Sequence, residues 1–340
     1  MDLLSFVNLG LARPFQCTHH CSHRTTRRFC QGNGESARSP SARAIEDFLT
    51  QRSLQTLLFY LEQCRDVPSF RFLEAFKGHE GIFRYHGFNG LRVHWDEYLN
   101  ELLREPKRTI TVRNPNYRRG GSKGNPYVQR HLDVEMTLDP KALGQKLLQV
   151  REHLSDEFIA DLMLIRDENE ELRRRHQHLV LHGVDTVGVK LYPAKEKESV
   201  YHANSPFRAG NYDLLKTYSV YLAVQRTLVM MDRDYKQRDS FSWLTSFMDA
   251  NGSKFHGDNG YHVGDEFISA MWDQLPRMKK NRGGSVSMID PDSIVEKILH
   301  ERLQVADDWT TELMSVPRDN LQFQRIPLED LLRDPDACEE

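Results

Sequence analysis

The chain has 340 residues, 39% hydrophobic and 28% charged, with a formal net charge of −3. That composition excludes a collagen-like or wholly disordered chain and leaves room for one large domain or two small ones. Apolar runs such as 162–165 and 179–181 fall far short of the roughly 20 residues that a membrane-spanning helix needs.

The first 44 residues stand apart from the rest. They carry Arg13, Arg24, Arg27, Arg28, Arg38 and Arg43, no lysine, several Ser and Thr, and only Asp2 and Glu35 as acids. Arginine-rich, hydroxyl-rich and acid-poor is the pattern of a mitochondrial or chloroplast transit peptide. Residues 3–12 are apolar enough for a secretory signal, but Asp2 sits where that signal carries positive charge. The expectation is a presequence over 1–44, processed near Ala42-Arg43-Ala44. Three of the five cysteines lie in the first thirty residues, so no disulfide framework holds the remainder, and a reducing compartment fits.

The apolar spacing predicts an amphipathic helix over 45–61, a second over 69–76 and a third over 94–104, closed by Pro106. Alternation over 109–113 and 131–138 predicts a β-hairpin with a long Gly-containing loop, which could subdivide the domain near 106–139. Asp139-Pro140 opens a long helix expected to reach about His178, and 184–191 reads as a further strand. Asn211 is the expected cap of a helix that is apolar on nearly all faces and therefore buried. Helices over 241–248, 265–275 and from Asp290-Pro291 to about Met314 complete a mainly α (α+β) domain over 45–315, followed by an acidic mobile tail over 316–340.

Candidate chemistry is local. Between Glu105 and Asp133 the chain holds seven cations and no acid, and Arg113, Arg118, Arg119 and Lys123 stand among glycines and tyrosines. Phosphate binding wants that mixture, because glycine frees backbone N–H groups while arginine forks onto oxygens. A solvated hairpin loop explains it as well. Arg208, in a polar loop ahead of the buried helix, would suit an anion beside free helix N–H groups. A second basic stretch, Arg277, Lys279, Lys280 and Arg282, has similar chemistry. His256, Asp258 and His262 gather imidazoles and a carboxylate in a Gly-rich segment and are the acid/base candidates, though their spacing matches no metal-ligand set. The Cys17, His19, His20, Cys21, His23 and Cys30 cluster lacks zinc-ribbon loop geometry and falls in the expected presequence. No Gly-x-Ser-x-Gly elbow, Walker loop, dinucleotide fingerprint or His-Glu-x-x-His motif occurs, so no cofactor or metal is assigned.

The stretches 51–61, Tyr85-His86-Gly87, 120–127 and Val150-Arg151-Glu152 resemble a group of plastid-targeted plant and algal proteins labelled "seed maturation-like", over roughly residues 45–162. The resemblance implies plastid import and no chemistry. The expected function is a non-enzymatic plastid stromal factor that holds an anionic or protein partner. The alternatives are an enzyme using His256, Asp258 and His262, and a local RNA binder.

Overall fold

The computed structural model describes residues 39–112, 134–182, 205–255, 262–280 and 286–333. They are mainly helical, with two small antiparallel hairpins. Helix α1 (Pro40–Gln63) begins where Ser39 Oγ accepts the Ala42 N–H at 3.2 Å and Pro40 fills the first turn. Helices α2 (Val67–Ala75) and α3 (Trp95–Arg104) pack near its second half. Strand β1 (Arg108–Val112) pairs with β2 (Val134–Leu138), and Asp139 then caps α4 (Pro140–Met163). Helix α5 (Ile165–His182) follows, then α6 (Arg208–Arg233), α7 (Arg238–Asn251) and α8 (Val263–Trp272). The hairpin of β3 (Arg277–Lys280) and β4 (Val286–Ile289) leads into α9 (Pro291–Leu313) and α10 (Val316–Arg333). No described helix is long and apolar enough to cross a membrane.

Two apolar clusters share α1 and α4. One gathers Ile45, Phe48, Phe158, Leu215, Val224, Ile298 and Trp309, and the other gathers Leu54, Leu58, Tyr98, Leu102, Leu147 and Phe323. Helix α1 runs through both and is buried on every side over much of its length. Its polar run Thr50, Gln51, Arg52, Ser53, Gln55 and Thr56 lies inside, where an amphipathic helix would put it in water. Buried polar groups persist mainly when hydrogen-bonded, and all of these except the Thr56 hydroxyl have a partner among the described residues. The Thr50 and Ser53 hydroxyls donate one turn back to the carbonyls of Glu46 and Leu49, while Gln51, Arg52 and Gln55 reach other segments.

Four boundaries differ from the sequence reading. The helix from Pro140 shortens at Leu164, whose N–H returns to the Asp161 carbonyl at 3.0 Å, so α4 and α5 are separate helices; no Gly or Pro announces the break. Asn211 does not cap α6, which starts at Arg208 with Phe207 before it. Asn211 is fully buried in the first turn as a partner of Arg52. Residues 316–333 form a helix rather than a mobile tail, because Pro317 sits in a first helical turn, which tolerates it, and Phe323 packs edge-on against Trp95 with centroids 5.4 Å apart. The 184–191 strand lies outside the described residues.

The fourth difference is at the start. A chain beginning at Ile45 would lack the Ser39 cap, the buried Ala42, and the Ser41 carbonyl that accepts from Trp309 Nε1 at 3.0 Å. Only a chain that keeps Ser39 retains all three contacts. Urea unfolding of chains begun at residue 39 and residue 45 should show the shorter one less stable by about 2–3 kcal/mol, the sum of a lost cap and a lost buried hydrogen bond. Equal stability would contradict this boundary.

Candidate functional site: a cationic cleft at the start of α6

The buried glutamines of α1 organise the site. Gln51 Nε2 donates to the Gly87 carbonyl at 2.6 Å, and its Oε1 accepts the Gly90 N–H at 2.6 Å. A Cβ at Gly90 would lie 2.7 Å from Gln51 Cδ, so this clamp requires glycine there. One turn on, Gln55 Nε2 donates to the carbonyls of Ile82 (2.6 Å) and Tyr85 (2.7 Å). The segment 82–90 is thus tied to α1 from two helical turns. This brings Tyr85 and His86 alongside Arg52.

Arg52 is 4% exposed. Its Nε donates to Asn211 Oδ1 and its Nη1 to Gln55 Oε1, both at 2.6 Å, and the guanidinium carbon lies 5.3 Å from the centre of the Phe207 ring. Phe207 meets Phe59 and Phe83 edge-on, with centroids 5.6 Å and 6.5 Å away. Between these groups opens a cleft of about 420 Å³, lined by Arg52, Phe83, Arg84, Tyr85, His86, Pro206, Phe207, Ala209 and Gly210. Two arginines and an imidazole line it, and no carboxylate is among the described lining residues.

The helix end adds to the positive potential. First-turn N–H groups of a helix have no intrahelical acceptor and carry the positive end of its dipole. Phe207 at the cap position contributes no side-chain hydrogen bond, and Ala209 and Gly210 of that first turn face the cleft. The arrangement offers a buried cation, backbone donors and an aromatic wall. It suits an anionic group attached to something flat, and a volume of this size is in the range of small-molecule sites.

Of the residues singled out from sequence, Arg208 is described and stands at the first position of α6. Its guanidinium forms a two-pronged ion pair with the buried Asp161 of α4, so the anion it meets is the chain's own carboxylate. Arg113, Arg118, Arg119 and Lys123 lie outside the described residues, as do His256 and Asp258. His262 is described, immediately ahead of α8, with its backbone N–H donating to Asp213 Oδ1 at 2.8 Å. The second basic stretch forms strand β3, where Lys279 pairs with Asp239 at 2.7 Å; Arg282 lies outside the description. Among the described residues no group of three or more His, Cys, Asp or Glu is placed to hold a metal ion. Sequence reasoning missed Arg52, Arg84, His86 and Phe207. The available signal was a glutamine–arginine–glutamine set, Gln51, Arg52 and Gln55, within an otherwise leucine-rich helix.

Comparison of the chain with protein-family models, with curated proteins and with solved structures finds no match.

Proposed function

We propose that this chain is a non-enzymatic binding factor whose cleft at the start of α6 holds a small anion carrying a planar group. The observation that supports this reading is Arg52, a buried guanidinium at the edge of a cleft with an aromatic wall and no carboxylate among its described lining residues. A guanidinium removed from water binds an anion more strongly than a surface lysine would, and its fork matches carboxylate and phosphate oxygens. Phe207, already beneath Arg52, supplies a face for a ring. Calorimetric titration of phenyl phosphate into the full chain tests the proposal. Saturable one-to-one binding that weakens with added salt supports it, and dilution heat alone rejects it.

The compartment we propose is the plastid stroma, on the arginine-rich, acid-poor segment ahead of Ser39. Residues 1–38 fused to a fluorescent reporter are expected to carry it into plastids. A reporter left in the cytosol, sent to mitochondria or secreted would remove this part of the proposal.

A further inference from the structure

Beyond the cleft, α6 carries a second set of buried charges. Lys216 Nζ lies 2.8 Å from Glu168 Oε2 on α5 and 3.0 Å from Asp265 Oδ2 on α8. Arg302 of α9, fully buried, donates to Ser219 Oγ at 3.0 Å and Asn169 Oδ1 at 2.9 Å, and its charge also acts on Asp265. Burial pushes Asp265 upward, but Lys216 and Arg302 outweigh it and hold the carboxyl below its ordinary range. Glu168 is likewise pushed up by burial and brought below its ordinary value by Lys216 and the Tyr212 hydroxyl. Two cations and two carboxylates balance.

Asp213 is the fifth member and has no further cation of its own among the described residues. It is 5% exposed, and its Oδ2 has no hydrogen-bond partner among the described residues. The groups facing it are Lys216 on α6, His262 at the start of α8 and Asp265 on α8. Lys216 is already shared by two carboxylates, and Asp265 repels. His262 remains. It sits in the left-handed region at φ 70, with its N–H on Asp213 Oδ1 at 2.8 Å and its Nδ1 3.6 Å from the same oxygen. Gly264 lets α8 approach closely, since a Cβ there would lie 3.0 Å from Thr217 Cα, so the start of α8 is seated on α6 beside this pair.

We propose that Asp213 holds a proton in the folded chain, on the buried Oδ2 that has no partner among the described residues, and that this proton fastens the first turn of α8 to α6 while Oδ1 accepts the His262 N–H. Its loss leaves a buried carboxylate facing Asp265 without a balancing charge, which loosens that contact. The direction with pH follows. Burial is the largest influence on Asp213 and raises it above its ordinary 3.8, against the pull of His262 and Lys216. A group whose folded value is raised contributes stability that is fully present below the unfolded value and is lost as pH rises through the folded one. The window therefore opens at 3.8 and extends upward.

The test is urea unfolding of the full chain from about pH 3.5 to pH 8, a range that begins below the ordinary carboxylate value and covers a raised one. It compares the wild type with Asp213→Asn, His262→Asn and the double variant. Asparagine keeps the acceptor at 213 and tolerates the left-handed backbone at 262. As pH rises, the unfolding constant of the wild type should grow relative to that of Asp213→Asn, by about tenfold for each unit separating the folded and unfolded values. His262→Asn should steepen that growth, and the double variant should follow Asp213→Asn. The proposal is overturned if wild type and Asp213→Asn run parallel at every pH. It is equally overturned if the His262→Asn effect is unchanged by the Asp213→Asn background.

Discussion

Replacing Arg151 by Ala is expected to remove about 3–5 kcal/mol of folding stability, the cost of breaking a buried ion pair from one side. Arg151 and Glu46 are both fully buried and bonded to each other between α4 and α1. The same guanidinium donates to Thr50 Oγ1 at 3.1 Å and to Asn320 Oδ1 on α10 at 2.8 Å, and it lies 4.3 Å from the centre of the Trp95 ring on α3. One side chain thus joins four helices. Its removal leaves the Glu46 carboxylate alone in the interior, where Oε1 already has no hydrogen-bond partner among the described residues. A domain of ordinary stability, about 5–15 kcal/mol, would lose a large share of it. Replacing both partners, Glu46→Leu with Arg151→Met, should be milder than Arg151→Ala, because no uncompensated charge remains. Urea midpoints at unchanged slope measure both. A loss below about 1 kcal/mol for Arg151→Ala would mean that the ion pair is not what ties α4 to α1.

Local signals located most elements. Asp139-Pro140 and Asp290-Pro291 are cap-and-proline pairs, and α4 and α9 start at those prolines. The alternation of 109–113 and 131–138 marked the first hairpin, now β1 with β2. What escaped depends on distant partners. Strand β3 reads Arg-Met-Lys-Lys, with none of the apolar alternation that announces a strand, and exists through pairing with β4. Pro317 is ambiguous by itself, because a proline stops a helix that precedes it yet fits the first turn of one that follows, and α10 begins at Val316. The site was hidden for a related reason. A charged residue in an amphipathic pattern reads as its wet face, whereas Arg52 is inside because Asn211, 159 residues later, accepts its Nε–H. Arg208 stands out for its place before a helix, and no local pattern discloses that Asp161 takes up its charge.

The cleft carries the second large effect. Arg52→Met should weaken phenyl phosphate binding by about 10–100-fold, the equivalent of one charged hydrogen bond of 1.5–3 kcal/mol. Because Arg52 also holds Asn211 and Gln55, that variant will be less stable, so the exposed Arg84 gives a parallel test with little effect on folding. Arg84→Ser should weaken binding by a smaller factor and reduce its salt dependence. Phe207→Ala separates the two halves of the ligand. It should lower affinity for phenyl phosphate by about 2–10-fold, as expected for one aromatic contact, while leaving inorganic phosphate unchanged.

The most direct single measurement is the calorimetric titration of phenyl phosphate into the wild type, Arg52→Met and Arg84→Ser, each confirmed folded by circular dichroism. The account predicts one saturable site in the wild type, weaker in Arg84→Ser and weakest in Arg52→Met. Absence of saturable binding in the wild type, or equal affinity in all three folded proteins, would contradict it.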